Sequence, residues 1–263
     1  MDLTDRSSFE EATGRFFSSF KGVKPLLVSD YDGTLAPFRK ERDEATPLPP
    51  VRRALRAILD AGGDLVILSG RRATEVASLL NLPVEVWGCH GCEKLGVDGV
   101  LERPTLLRED SLALESMARE LSKFPTGAVE RKPVSVALHW RGRESVKDAY
   151  DEVSAHLALE AGRAGLEVLP FNGGIEYRLS RCTKGRAMER ILMERKRGTP
   201  VCYLGDDVTD EDAFRVLRGR GLGVLVAGRS VGTAAELRID PDNVEAFLHL
   251  WRYALTRSGA ERG

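Results

Sequence analysis

The residues best placed to do chemistry open the segment Asp30-Tyr31-Asp32-Gly33-Thr34-Leu35, directly after the apolar run Leu26–Ser29. Two carboxylates at i and i+2 just beyond a buried strand can both reach a site at the sheet edge. Asp30 can attack phosphorus and form an aspartyl-phosphate, which divides one difficult step into two. Asp32 can protonate the leaving oxygen and later deprotonate water, provided the surroundings of the two acids differ. Ser69-Gly70-Arg71 ends a second apolar run and offers a hydroxyl and a backbone amide to phosphoryl oxygens. Lys184-Gly185 opens a helical pattern; a lysine there opposes the helix dipole, unless it neutralises charge gathered by Asp30 and a phosphate. Gly205 leads into Asp206-Asp207-Val208-Thr209-Asp210-Glu211-Asp212, five acids in seven residues after another apolar run. Such a hard-oxygen cluster suits magnesium, with Asp30, Asp206 and the Asp32 main-chain carbonyl as the protein's share of the shell. Thr209 with Asp212 reads as a helix capping box, so that Asp212 and Glu211 serve the helix while Asp206 and Asp207 remain for the site.

These groups need elements to position them. Apolar runs at 26–29, 64–68, 84–88, 201–205 and 222–227 alternate with helical periodicity at 49–61, 73–80, 184–196, 211–218 and 243–255, the rhythm of a doubly wound α/β fold with a mostly parallel, Rossmann-like sheet. Ligands bind such sheets at the C-terminal strand ends, where all four motifs fall. Between them the rhythm changes: helices at 110–122 and 144–163 accompany strands near 127–131, 134–140, 166–169 and 175–179. In the long helix Val146, Ala149, Tyr150, Val153 and Leu157 share a face. The expected organisation is therefore a core of residues 1–97 and 180–263 carrying an inserted α+β cap domain of residues 98–179.

The 263 residues carry 42% hydrophobic and 30% charged residues and a net charge of −1. That balance excludes partners recruited by bulk charge, so nucleic acid and membrane surfaces are not expected. No run approaches a membrane span, and the start lacks the pattern of a secretory signal; the expectation is a cytoplasmic monomer. Cys89, Cys92, Cys182 and Cys202 are too sparse for a disulfide framework, and the pair Cys89 and Cys92 is expected to be ordinary reduced thiols.

The order Asp30/Asp32, Ser69, Lys184, Asp206/Asp207 resembles the haloacid dehalogenase (HAD) superfamily of phosphatases. Asp30 through Pro37, Ser69–Arg71, His90–Glu93, Val129–Lys132, Leu138–Arg141, Gly205–Phe214 and Gly232–Ala235 look more particularly like the trehalose-6-phosphate phosphatases. The resemblance implies a magnesium-dependent hydrolase of trehalose 6-phosphate, a small-molecule sugar phosphate, serving trehalose biosynthesis. It implies Asp30 as nucleophile and Asp32 as acid/base, with Ser69 and Lys184 holding the phosphoryl group beside Gly70 and Arg71. Asp30, Asp32 and Asp206 would bind magnesium, with Asp207 and Asp210 supporting. Glu130, Lys132, Arg141 and Glu176 would read sugar hydroxyls from the inserted domain, with His90 and Glu93 on the segment leading to it. The chain departs from the family pattern at Trp140, where tyrosine is usual, at Thr183, where asparagine often stands, and after Arg178, where a proline is usual. The same chemistry on sucrose phosphate or a glucosyl- or mannosyl-3-phosphoglycerate, and a non-catalytic sugar-phosphate-binding domain, are the competing expectations.

Overall fold

The computed structural model describes residues 6–20, 23–39, 41–228 and 232–260. Contacts divide the chain into two compact units, one of Met1–Leu101 with Thr183–Gly263 and one of Glu102–Cys182.

The first unit contains β1 (Leu26–Ser29), β2 (Asp64–Leu68), β3 (Glu85–Gly88), β4 (Glu93–Leu95) and β5 (Leu101–Glu102), with α1 (Arg6–Ser18), α2 (Pro49–Asp60) and α3 (Ala73–Leu80). The second unit supplies α4 (Arg108–Leu121), β6 (Val129–Lys132), β7 (Ser135–His139), α5 (Glu144–Arg163), β8 (Leu166–Phe171) and β9 (Gly174–Leu179). The first unit then resumes with α6 (Lys184–Met193), β10 (Val201–Gly205), α7 (Glu211–Leu217), β11 (Leu222–Val226), β12 (Leu237–Ile239) and α8 (Val244–Ala260).

The large sheet has the order β12-β11-β10-β1-β2-β3-β4-β5. Its strands run parallel from β12 to β3, and β4 pairs antiparallel with β3. Period-two alternation sends Leu27, Leu65, Ile67, Cys202 and Leu204 into one core with α2, α3 and α8. Leu26, Val28, Val66, Leu68, Val201 and Tyr203 face the other core, with α6 and α7. Burial on both faces is why these strands read as continuous apolar runs. Phe16, Phe17 and Phe20 pack their rings against Trp251 of α8, an attachment of α1 that strand and helix periodicity in the sequence did not foretell. β4 and β5 were also not foreseen, being three and two residues long, too short for alternation to show.

In the second unit the order is β6-β7-β9-β8, all antiparallel. Val136, Leu138, Ile175, Tyr177 and Leu179 form an apolar face packed on α4 and α5. The expected stripe of α5 is corrected: Val146, Leu157 and Ala161 are buried, whereas Val153 is 37% exposed and Ala149 is exposed. The helix leans on the edge strand β8 and buries a narrower face than its hydrophobic spacing offers.

Cys89 and Cys202 are buried free thiols. Cys92 and Cys182 are instead in the disulfide state, which corrects the expectation of reduced thiols for Cys92.

Candidate active site

The chain leaves β1 to one side through β2 and returns on the other through β10, so β1 and β10 flank the point where strand order reverses. At such a point the loops diverge and leave a crevice beyond the strand ends. Asp30 and Asp206 are the residues that immediately follow these two neighbouring strands. Ser29 sits beside Leu204 in the register, and the Asp30 amide donates to the Leu204 carbonyl at 2.8 Å.

One carboxylate oxygen each of Asp30, Asp206 and Asp210 lies within 4.8 Å of the others. Lys184, at the first position of α6, reaches Asp30 Oδ1 at 2.9 Å and Asp210 Oδ1 at 2.6 Å. Lys184 and Asp30 are almost wholly buried. Burial raises the Asp30 carboxyl well above its usual range, and repulsion from Asp210 and Asp32 adds to this while Lys184 opposes it. Burial likewise raises Asp206, reinforced by Asp30 and Asp210. Burial works against the Lys184 ammonium, but Asp210 and Asp30 outweigh it, and its proton is held above the ordinary lysine range. Three acids against one ammonium is an electrostatic imbalance that a small, hard dication relieves, and oxygen donors this close together fit such an ion.

Asp210 is the hub of this cluster. Its Oδ1 accepts from Lys184 and from the Tyr203 hydroxyl, and its Oδ2 accepts from the amides of Asp206 at 3.0 Å and Asp207 at 2.9 Å. The capping expected of Thr209 and Asp212 is corrected. Asp207 and Asp210 form the reciprocal capping box of the short 3-10 turn Val208–Asp210. Asp212 pairs with Arg215 at 2.6 Å, and Glu211 accepts from Thr233 Oγ1 at 2.6 Å and the Ala234 amide at 2.8 Å. Thr34 Oγ1 donates to Asp206 Oδ1 at 2.9 Å. Gly33 has φ +80°, and a Cβ there would lie 2.0 Å from Asp206 Oδ2; the turn after Asp32 therefore has to be glycine for the Asp206 carboxylate to take its place.

The Asp32 carboxylate is engaged elsewhere. Arg71 Nε donates to Asp32 Oδ2 at 2.6 Å and its second terminal nitrogen to Oδ1 at 2.8 Å, a two-pronged pair. Arg71 is held in turn by Glu75 and by the Arg42 carbonyl at 2.9 Å. The Arg71 amide donates to Ser69 Oγ at 3.2 Å, which leaves the serine proton available to an incoming oxygen.

A strained segment backs this turn. Cys89 and His90 have φ of 51° and 55°, a left-handed conformation uncommon for such residues and frequent at functional sites. It is fixed by the Cys89 amide on the Arg71 carbonyl and the His90 amide on the Ser69 carbonyl at 2.9 Å. A Cβ on Gly70 would meet His90 Cε1 at 2.8 Å, so the imidazole packs directly against the turn. Glu93 is buried, accepting from the Ala73 amide at 3.1 Å and the Cys89 thiol at 3.5 Å. Its carboxylate serves the N-terminus of α3.

In the second unit, register places Glu130 and Lys132 of β6 on the same sheet face as Ser135 and Ala137 of β7 and Glu176 and Arg178 of β9. This face is opposite the apolar one. Glu176 Oε1 accepts from Lys132 Nζ at 3.0 Å and Ser135 Oγ at 2.5 Å. Glu130 Oε2 lies 3.0 Å from His139 Nε2. Arg178 makes two bonds to Glu167 Oε2, at 2.9 and 3.1 Å. Arg141, in the loop after β7, donates to the Asn172 carbonyl. Trp140 stacks on Tyr150 with centroids 4.9 Å apart, and Thr183 caps α6 by accepting from the Arg186 amide at 3.2 Å; these two of the three departures from the family pattern thus have a structural use here.

Tyr203, Thr34 and Glu75 were missed by sequence reasoning. The one signal for Tyr203 is a hydroxyl in the otherwise apolar strand Val201–Gly205.

The fold belongs to a known class. A phosphatase of the haloalkanoate dehalogenase (HAD) superfamily from Bacteroides thetaiotaomicron matches with a TM-score of 0.61 at 18% identity, over 89% of this chain and 96% of that one. The C-terminal domain of C. albicans trehalose-6-phosphate phosphatase matches with a TM-score of 0.72 at 22% identity, over 91% and 96%. The sequence profile of the trehalose-phosphatase family covers residues 28–238, and the chain belongs to that family. A trehalose-phosphate phosphatase of Mycobacterium tuberculosis is 32% identical over 239 residues, covering 85% of this chain and 60% of the relative. One of Mycobacterium marinum is 31% identical over 223 residues, covering 81% and 56%. The matched region thus spans a little over half the length of these curated relatives.

Proposed function

We propose that this protein is a magnesium-dependent phosphatase that converts trehalose 6-phosphate to trehalose and inorganic phosphate through an aspartyl-phosphate on Asp30. The observation that carries the reading is the meeting of Asp30, Asp206 and Asp210 with Lys184 at the switch point of the sheet. The choice of sugar rests on family membership.

In the first half-reaction an Asp30 oxygen bonds to phosphorus as the bond from phosphorus to the sugar oxygen breaks, and a protonated Asp32 gives its proton to that oxygen. In the second, the Asp32 carboxylate takes a proton from water, whose oxygen attacks phosphorus and releases Asp30 and phosphate. Both Asp32 oxygens accept from Arg71 here. An incoming phosphate that draws one guanidinium donor to itself would free an Asp32 oxygen when the acid is needed. Ser69 Oγ, the Gly70 amide and Lys184 hold the phosphoryl oxygens, and His90 supports their turn from behind. Asp30, Asp206 and the Asp32 carbonyl would hold magnesium, with Asp207 and Asp210 ordering the loop. When bound, the ion supplies positive charge that screens the Asp30 carboxylate from the phosphate dianion. Glu130, Lys132, Arg141 and Glu176 read sugar hydroxyls, because buried polar groups discriminate strongly against a ligand that leaves them unpaired.

The test is phosphate release from trehalose 6-phosphate, sucrose phosphate, glucosyl- and mannosyl-3-phosphoglycerate and simple hexose phosphates, with magnesium and with a chelator. Magnesium-dependent release led by trehalose 6-phosphate supports the reading. Equal rates across the panel would remove the sugar assignment, and chelator-insensitive release would remove the cation.

A further inference from the structure

Strand β10, which carries Asp206 at its C-terminal end, begins at a second concavity together with its neighbour β11. A cleft of about 1290 Å³ is lined by Val201 and Leu222, the first residues of β10 and β11, and by the segments just after α6 and α7. It therefore lies at the opposite end of the sheet from Asp30 and Asp206. Five cations line it: Arg15, Arg195, Lys196, Arg197 and Arg220. Among the described residues its single lining carboxylate, Glu236, is engaged by the Gly223 amide at 2.7 Å.

Among the described residues neutralisation is incomplete. Arg15 meets Glu11 at 3.6 Å and Arg195 meets Glu85 at 3.3 Å. Among the described residues Lys196, Arg197 and Arg220 have no ion-pair partner. The ends of α6 and α7 present partial negative charge that favours a cation in the last turn or just beyond. That accounts for Arg195 and Arg220 but not for two further charges on one loop. Like charges around one concavity repel each other. The loop is nonetheless ordered: the Thr199 amide and hydroxyl both donate to the Lys196 carbonyl, at 3.0 and 2.7 Å. The wall beside the cations is apolar, formed by Phe16, Leu192 and Met193, and Met193 is 74% exposed.

A concavity this large exceeds what a lone phosphate fills and has the apolar wall with polar rim of a small-molecule site. Its chemistry asks for several negative charges joined to a flat apolar ring. Arginines offer paired donors to phosphate oxygens and flat faces to rings. We propose that this cleft binds a nucleoside polyphosphate, with the phosphates on Lys196, Arg197 and Arg220 and the base against Phe16 and Met193.

The test uses ATP, tripolyphosphate and adenosine as calorimetric probes of the full chain carrying Asp30→Asn, which prevents turnover, with excess inorganic phosphate to occupy the catalytic end. ATP is expected to bind at least about tenfold more tightly than either tripolyphosphate or adenosine. In the same background the combined variant Lys196→Gln, Arg197→Gln, Arg220→Gln should lose at least about tenfold in ATP affinity, with weaker salt dependence. Placed in the otherwise native chain, the three substitutions should leave phosphatase activity intact, which confirms folding. Met193→Asp, at an exposed position, should weaken ATP more than tripolyphosphate. ATP affinity unchanged in the triple variant, or tripolyphosphate binding as tightly as ATP, overturns the proposal.

Discussion

The two units treat charge in opposite ways. At the end of β1 and β10, three carboxylates converge on one ammonium, and burial together with mutual repulsion raises the proton affinity of Asp30 and Asp206. On the polar sheet face of the second unit, Lys132 meets Glu176, His139 meets Glu130 and Arg178 meets Glu167, one to one. An imbalance held in place by a rigid sheet is a demand for an ion. A set of matched pairs makes no such demand. It offers donors and acceptors of fixed geometry, which suits the reading of neutral hydroxyls. Under the proposed function the contrast would separate a centre for chemistry from a surface for selection, and it can be broken from either side.

The largest effect is expected from Asp30→Asn. It preserves shape but removes the nucleophile, and phosphate release with magnesium should fall by about 10⁴-fold or more; retained turnover would remove Asp30 from that role. Lys184→Met removes the cation that contacts both Asp30 and Asp210. The rate should drop by about 10²–10³-fold, and without divalent ions unfolding at alkaline pH should show a loss of about 3 kcal/mol. On the other side of the comparison, Glu176→Gln should lower kcat/KM for the true sugar phosphate by roughly 10–10²-fold. A small generic phosphate ester should be nearly unaffected. An equal loss on both substrates would show that the polar face supports the fold rather than selecting the sugar.

The pH dependence of stability sharpens the same contrast. Asp206 and Asp30 have raised proton affinity when folded, so the metal-free folded state holds more protons than the unfolded chain between the ordinary carboxylate range and the raised values. Metal-free stability should therefore decline as pH rises from that range through neutrality. Asp206→Asn should flatten the decline and abolish stabilisation by magnesium, both read by thermal melts. Asp110 is the reverse case: its bonds to Arg181 and the Leu107 amide lower its proton affinity. Its contribution is present above the ordinary carboxylate range and lost as pH falls below it. Asp110→Asn should remove this small acid-side slope and leave the neutral-side decline untouched.

The doubly wound core was legible because its strands are buried on both faces and its helices carry a strong 3.6-residue period, as in Val244, Phe247, Leu248, Trp251 and Leu255, all buried. The acids at residues 30, 32 and 206 were legible because carboxylates directly after apolar strands have few structural uses. What could not be read were relations between distant side chains. Thr209 with Asp212 reads as the capping box, but Asp207 with Asp210 has the same spacing, and the sequence does not say which pair closes. Arg71 looked like a phosphate ligand, and its grip on Asp32 emerges only when the ends of β1 and β2 lie side by side. Nor could the sequence show that Glu93 meets the Ala73 amide and the Cys89 thiol, two groups distant from it along the chain or hidden in a turn.

The central claim is that Asp30 receives the phosphoryl group, and rapid-quench mass spectrometry tests it most directly. The full chain is mixed with trehalose 6-phosphate and magnesium, stopped in acid within the first turnover and digested. The account predicts a transient phosphoryl group on the peptide containing Asp30, absent with chelator and absent in Asp30→Asn. Rapid phosphate release with that peptide unmodified at every time point would contradict it.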